Sequence, residues 1–348
     1  MVGSDERQFV TSINVTAIVP VYRGERTLAQ ALSSLLAQDI DGLEVIVIDD
    51  GSPDRSADIA LKMQETADGR LTVLRQSNCG LAATLNRGIG FARGKYIARQ
   101  DADDIVLAGR LAKQFAYLEA NPDVAMVGTW AHIYAEDAPT QRYHRHRRSA
   151  EALRLELLFD NPFVHSSMMI RTDVLREIGG YCEDKARQPP EDYELWSRIA
   201  RKYRVANIPE VLTVYREVAG SISRTGENPF QAKVVGIATE NIYHLLAPDY
   251  SVAECSALAE IYHCDGMAGI PAPLTNAKAR NMLDIAAYRI SGDKSTWSDE
   301  FLAAHRRIRA HFTRRFLRRR IPAPLLGPAR WLRHGTSALL RRRRLPVS

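Results

Sequence analysis

The chain has 348 residues, 45% of them hydrophobic and 25% charged, which fits one large or two ordinary globular domains. Its four scattered cysteines form no CxxC pair, so neither a zinc site nor a disulfide framework is indicated, and free thiols in a reducing cytoplasm are expected. No apolar run approaches the roughly 18 residues of a membrane helix, and the N-terminus lacks a signal-peptide pattern. The net charge of +6 is uneven, because residues 301–348 hold 14 arginines and no Asp, Glu or Lys, while the remainder is acidic.

Short apolar runs alternate with helical patterns from the first strand onward. Strands are predicted over residues 15–21, 43–50, 71–74 and 95–100, and helices over residues 27–38, 57–66 and 81–92. This βαβαβαβ order predicts a mostly parallel sheet with helices on both faces. Gly88 and Gly90 fall inside a predicted helix, so they do not form a dinucleotide-binding loop.

The second part of the chain is mixed and then helical. Helices are predicted over 107–120, 173–181 and 189–203, strands over 124–134 and 162–171, and a basic surface loop over 141–148. Beyond about residue 230 the pattern becomes purely helical. We therefore expect a helical extension after an α/β domain.

Polar segments follow the first, second and fourth predicted strands. They cover residues 20–25, 49–52 and 101–104. Ligands of open α/β sheets bind beyond the carboxyl ends of the strands, so these segments are expected to form one site.

The segment QDADD places Asp101, Asp103 and Asp104 within four positions. Ionised carboxylates this close repel one another, and a divalent cation removes the repulsion. Oxygen ligands suit Mg²⁺ or Mn²⁺, which commonly bind substrate phosphates as well. The alternatives are a solvated acidic turn or an N-cap for the helix near residue 107.

Several segments together resemble family-two glycosyltransferases of the GT-A fold. They are IVPVYRGERTLAQALSSLLAQ, VIVIDDGSPDRS, NCGLAATLNRGIGFARGKYIARQDADD, NPFVHSSMMIR and PPEDYELWSRI, and they span roughly residues 13–225. The resemblance implies a nucleotide-sugar donor, a divalent cation and inversion at the anomeric carbon.

The resemblance also implies roles for residues of the donor half. Those expected to contact the nucleotide or ribose are Pro20, Val21, Tyr22, Glu25, Asp50, Asp101 and Ala102. Asp50 would accept from the uracil N3–H, which favours UDP-sugars first and dTDP-sugars second, and Asp49 would brace the loop.

The resemblance also implies which residues bind the metal and which act in catalysis. Asp103 would bind the cation directly, with Asp101 contacting ribose or metal, and Asp104 would turn outward or cap the next helix. Asp192 matches the family's catalytic base, with Glu191 as the alternative. His165 would lie near the donor sugar or acceptor, or would be an ordinary hydrogen-bonded histidine.

One segment departs from the family pattern. Val218 stands where family members often carry a histidine that assists the metal or diphosphate. Arg216 or Arg224 is the expected substitute for that role.

The resulting domain prediction is a GT-A domain over 1–228, with donor and acceptor halves at 13–110 and 111–228, followed by a helical extension over 229–348. The predicted activity is transfer of a sugar to a glycan or lipid-linked acceptor in surface polysaccharide synthesis. A metal-dependent nucleotidyltransferase is the alternative, although VYRGERTL is a poor match to its expected glycine-rich loop.

The arginine-rich tail suggests a second partner. Phe301, Ile308, Phe312 and Phe316 form an apolar stripe that would lie on the anionic inner face of the cell membrane, or would pack back on the protein. Nucleic acid is not expected, because the body is acidic and no aromatic residues interleave with the RRRR run.

Overall fold

One nine-stranded sheet organises the protein. The computed structural model describes residues 12–135, 137–217, 230–263 and 274–319. The strands are β1 (Val15–Val21), β2 (Leu43–Asp49), β3 (Leu71–Arg75), β4 (Tyr96–Arg99), β5 (Ile105–Val106), β6 (Val124–Ala135), β7 (Ala138–His144), β8 (Met169–Arg171) and β9 (Arg204–Glu217). Their order is β3-β2-β1-β4-β8-β6-β9-β5, with β7 paired to the outer part of β6.

The sheet is mostly parallel, as predicted. Pairings place β1, β2, β3, β4, β6 and β9 in one direction, while β5, β7 and β8 run the opposite way. The helices between the strands are α1 (Leu28–Leu36), α2 (Ser56–Glu65), α3 (Leu81–Phe91), α4 (Arg110–Ala120), α5 (Ala150–Leu157), α6 (Thr172–Ile178) and α7 (Glu191–Lys202).

Alternating side chains of the strands build a core on each face of the sheet. Ile18 of β1 packs with α3, α6 and α7, whereas Ala17 and Val19 pack with α1, α2 and α4. Gly88 of α3 lies where a Cβ atom would come within 2.7 Å of Ile18, so it allows close approach of helix and sheet. This explains a glycine inside a helix without any nucleotide-binding role.

The helices after residue 230 form a third core. They are α8 (Gln231–Leu246), α9 (Val252–His263), α10 (Asn276–Ser291) and α11 (Asp299–Arg319). Their apolar side chains pack with Ala152, Leu155 and Phe159 at α5, so the extension shares a core with the α/β region. The Glu300 carboxylate accepts from the amides of Arg148 and Ser149 at 3.0 and 2.8 Å, fastening α11 to the start of α5.

The apolar stripe of the tail packs inward. Phe301, Ile308 and Phe312 are buried in the third core, and Phe316 packs against it. The prediction that this stripe meets a membrane is therefore wrong, because helices of the same chain cover it. Residues 320–348 lie outside the described residues.

Two predictions about secondary structure needed correction, and one strand was missed. Residues 162–171 are not one strand, because residues 165–167 form a 3₁₀ turn in which the Ser167 hydroxyl bonds the Val164 carbonyl at 2.8 Å. The predicted loop over 141–148 begins within edge strand β7. Strand β9 was not predicted, although it is the longest strand in the described part of the chain.

Truncating Phe312 should test whether the extension is integral to the fold. Phe312→Ala removes a fully buried ring that contacts Phe159 and Tyr262, and we expect a loss of about 3–5 kcal/mol in stability. Leu317→Ala on the same helix is the control, since Leu317 is exposed. Thermal unfolding of both variants measures the effect; equal melting temperatures would contradict a stabilising third core.

Candidate active site

The loops after β1, β2 and β4 meet at the carboxyl-end edge of the sheet, as predicted. The Asp50 amide bonds the Val21 carbonyl at 2.9 Å, and the Gly24 amide bonds the Ser56 hydroxyl at 2.8 Å. A Cβ atom at Gly24 would lie 3.6 Å from Ala102, so the loop after β1 also adjoins the acidic loop after β4. These contacts bring the three predicted segments together.

The predicted nucleotide-contacting residues surround the end of β1. Pro20 and Val21 are buried, while the Tyr22 ring is about half exposed beside them. Glu25 accepts from the Arg55 amide at 3.2 Å, which links the loop to the start of α2. The arrangement leaves Tyr22 as the accessible ring of this group.

Asp50 lies in a ring of donors that the sequence did not reveal. Its carboxylate accepts from Gln76 Nε2 at 2.8 Å and from the Cys79 and Gly80 amides, both at 2.9 Å. Burial alone would raise the pKa of Asp50, but these hydrogen bonds lower it below its usual value. Asp50 is therefore an ionised acceptor held in a fixed orientation. Buried Asp49 accepts from the Ser52 amide at 3.2 Å, which fits its predicted bracing role.

The loop after β4 gathers its three carboxylates. One oxygen each of Asp101, Asp103 and Asp104 lies within 4.8 Å of the others. Burial and the neighbouring Asp101 charge raise the pKa of Asp103 to about 6. Its carboxylate accepts no hydrogen bond from any other residue that the structure describes, so it is available to a ligand.

Asp104 neither turns outward nor caps the next helix, whose N-cap is Gly109, so both predicted alternatives are wrong. It is buried, and it accepts from the Ser166 hydroxyl and, at 2.8 Å, from the Arg216 amide. Burial, with the charges of Asp101 and Asp103, raises its pKa. Because both oxygens are engaged, Asp101 and Asp103 are the carboxylates that fit a hard divalent cation.

Arg216 supports the acidic loop from behind. Its guanidinium donates to the Asp103 carbonyl at 2.8 Å and to Gln30, and it pairs with Asp137 at 3.3 Å. These partners already occupy the guanidinium. Its contact with a diphosphate stays a prediction. Val218 and Arg224 lie outside the described residues.

A second carboxylate pair lies at the start of α7, as predicted. Burial and the Asp192 charge raise the pKa of Glu191 to about 7, and burial also raises the pKa of Asp192. Asn161, which the sequence analysis did not select, donates to Asp192 Oδ2 at 2.7 Å. One oxygen of the carboxylate is thereby held in position.

His165 belongs to the same cluster. Its Nε2 lies 2.9 Å from the Tyr181 hydroxyl, and its Nδ1 lies 3.9 Å from Glu191. Burial, together with the nearby Arg99 charge, lowers the pKa of His165 far below its usual value, so the ring is neutral. A neutral imidazole here can orient Glu191 or a substrate hydroxyl.

Arg99 connects the two acidic groups and was also missed. It is buried at the end of β4, its guanidinium forms an ion pair with Asp101, and its Nε has no hydrogen-bond partner among the described residues. Its charge acts against the raised pKa values of Asp103, Glu191 and Asp192. An arginine within a strand gave no sequence signal for this role.

Sequence comparison assigns the family. Residues 16–179 match the family described as Glycosyl transferase family 2. An uncharacterized glycosyltransferase of Haemophilus influenzae is 32% identical over 267 residues, covering 72% of this chain and 81% of that protein. The amylovoran biosynthesis glycosyltransferase AmsE of Erwinia amylovora is 29% identical over 223 residues, covering 63% and 82%.

The chain belongs to glycosyl transferase family 2 and is a glycosyltransferase with relatives in polysaccharide biosynthesis. The nucleotidyltransferase alternative is not supported.

Solved structures confirm the GT-A fold. TarS of S. aureus, solved in complex with UDP-GlcNAc, superposes with a TM-score of 0.56 at 16% identity, covering 87% of this chain and 89% of that one. The mannosyltransferase PcManGT of Pyrobaculum calidifontis, solved with GDP-Man and Mn²⁺, gives 0.54 at 19% identity, covering 88% and 86%. Within the described residues, no helix combines the length and apolar character needed to cross a membrane.

Proposed function

We propose that this chain is an inverting glycosyltransferase of surface polysaccharide synthesis. It would move a sugar from a nucleotide-diphosphate donor, preferably a UDP-sugar, to a hydroxyl of a glycan or lipid-linked acceptor. The observation that carries the proposal is an acidic loop suited to a cation beside a buried carboxylate pair: Ser166 donates to Asp104 of the loop, and its neighbour His165 lies 3.9 Å from Glu191 of the pair. The domain division near residue 228 is part of the same proposal.

The acidic loop would hold Mg²⁺ or Mn²⁺ through Asp103 and Asp101. When bound, such a cation neutralises charge that develops on the departing diphosphate. The chain's own residues supply the rest of the donor site: Asp50 accepts from the base, and the loop around Tyr22 borders the nucleotide. Hydrogen bonds from Arg216 to Asp104 and to the Asp103 carbonyl hold the loop in position.

Asp192 would act as the general base. The acceptor hydroxyl must lose a proton as it attacks the anomeric carbon, and a carboxylate opposite the leaving group can take it. Burial raises the pKa of Asp192, which makes it a better proton acceptor than an exposed aspartate. Direct displacement by the acceptor oxygen inverts the anomeric configuration.

The orientation of Asp50 leads to a prediction about the donor base. With Mn²⁺ present, UDP should raise the melting temperature most, dTDP less and GDP least. The carboxylate can accept from the N3–H of uracil or thymine, whereas guanine has no hydrogen on N3, and the family resemblance places uracil first. A ligand at 100 times its dissociation constant stabilises by about 2.7 kcal/mol, which thermal shift detects easily. Asp50→Asn should weaken the UDP response, whereas Asp58→Asn, at an exposed position of α2, should not. Tight GDP binding without a UDP response would refute the assignment.

We also propose that the tail binds an anionic membrane surface, but through residues 320–348 and not through the apolar stripe of α11. Because the apolar stripe of α11 is buried, residues 320–348, which contain seven arginines, would make the contact with anionic lipid. A truncation after Glu300 would remove α11 and expose the third core, so the informative truncation ends at Arg319.

Liposome co-sedimentation should show this difference. The full chain should bind vesicles that contain anionic lipid, and the chain ending at Arg319 should bind them weakly, since each arginine near the surface contributes about 1 kcal/mol. Neutral vesicles are the control. Equal sedimentation of both chains, or no preference for anionic lipid, would exclude the role.

A further inference from the structure

A cleft lies in the helical extension, apart from the candidate active site. It has a volume of about 550 Å³ and opens between the end of α10, a 3₁₀ turn at residues 294–296 and the first half of α11. This volume is within the roughly 300–1,000 Å³ typical of small-molecule sites. Nothing in the catalytic proposal uses this cleft.

An immobilised tryptophan lines the cleft. The Trp297 ring makes an edge contact with Phe301 at 5.0 Å and a tilted contact with His305 at 4.9 Å between centroids. Its Nε1 donates to the Gly292 carbonyl at 3.1 Å. Tyr288, also on the lining, is 63% exposed. A ring fixed before binding loses little conformational entropy when a ligand stacks on it.

The charges on the lining favour an anion. Asp284 forms an ion pair with Arg309 and a 2.8 Å hydrogen bond with His305, and the Asp293 carboxylate accepts from the Ser295 amide and hydroxyl. With Lys294, Arg306 and Arg309, the cations of the lining outnumber these two carboxylates. Lys294 and Arg306, in contrast, have no hydrogen-bond or ion-pair partner in the described part of the chain. The Lys294 and Arg306 side chains, which line the same cleft as Trp297, are therefore available to an anionic ligand.

We propose that this cleft binds an acidic oligosaccharide, with a sugar ring against Trp297 and its carboxylate paired with Lys294 and Arg306. Charge-assisted hydrogen bonds from arginine and lysine to carboxylate are strong and directional. The Trp297 side chain is partly buried and lines a cleft, not a flat surface. The choice of a saccharide rests on the proposed glycosyltransferase function. The cleft would bind a part of the glycan that is distant from the reacting hydroxyl.

The test is calorimetric titration of the full chain without donor or metal. Tri-galacturonate should bind about tenfold or more tightly than neutral maltotriose, and the binding should weaken with salt. The double variant Lys294→Ala/Arg306→Ala should lose that preference, and Trp297→Leu should weaken both saccharides. Arg314→Ala, at an exposed position of α11 outside the cleft, is the matched control.

Several outcomes would overturn the proposal. They are no binding by the natural chain, equal binding of the two saccharides, unchanged binding by the double variant, or binding of anionic vesicles through Lys294 and Arg306 without saccharide binding. Sugar transfer is assayed separately on the same preparations. Transfer without tri-galacturonate binding refutes only the cleft, and binding without transfer refutes only the proposed function.

Discussion

Asp103→Ala is expected to abolish metal-dependent sugar transfer while the protein stays folded. The Asp103 carboxylate accepts no hydrogen bond from another described residue, and burial with the Asp101 charge raises its pKa to about 6. Removing it therefore relieves repulsion in the chain while it deletes a proposed cation ligand. A loss of about 10³-fold or more is expected, since charge neutralisation of this kind is worth several kcal/mol.

Asp104→Ala provides the matched comparison. It would leave the buried Ser166 hydroxyl and Arg216 amide without their acceptor, so its melting temperature should fall, whereas that of Asp103→Ala should not. Mn²⁺ titration by calorimetry should show lost binding for Asp103→Ala. Near-normal transfer by Asp103→Ala in chelating buffer would refute the metal assignment.

Asp192→Asn is expected to lose about 10²–10⁴ of the turnover rate while donor binding is unchanged. The amide keeps the size of the side chain but cannot take the acceptor proton. Donor affinity by titration and turnover under saturating donor separate the two effects. If the carboxylates served only to begin α7, Asp192→Asn would instead lower the melting temperature and leave turnover intact.

The pH profile distinguishes Asp192 from Glu191. A general base works only when ionised, so activity must fall as the pH drops through its pKa. If Glu191 were the base, the decline would be centred near its pKa of about 7. An inactive Glu191→Gln variant together with an active Asp192→Asn variant would reassign the base to Glu191.

Local sequence patterns were sufficient for the elements that make up the donor half. The β-branched runs at β1 and β2 are buried on both faces, so composition alone marks them, and the aspartates that follow them are at the predicted edge. Partners distant in sequence were not predictable. Asp104 is buried because Ser166 and the Arg216 amide reach it from 62 and 112 residues away.

The tail shows the same limit for helical patterns. The spacing of Phe301, Ile308 and Phe312 correctly indicates one apolar face, but a face does not specify what covers it. The covering residues belong to the preceding helices α9 and α10 and to α5, which is distant in sequence. Arg99 was missed for a related reason: its charge acts on Glu191 and Asp192, which belong to a helix distant in sequence.

Arg99 also bears on the order in which the protein is assembled. Many metal sites remain unfolded until their ion arrives, since unscreened ligands cannot be buried together. Here a permanently charged guanidinium, covalently part of β4, already pairs with Asp101 and lies close to the other carboxylates. If the acidic loop holds a divalent cation as proposed, this guanidinium supplies part of the counter-charge before the ion binds. We therefore expect the chain to fold without divalent cations and to need them only for activity, so that metal supply would regulate its activity without changing its abundance.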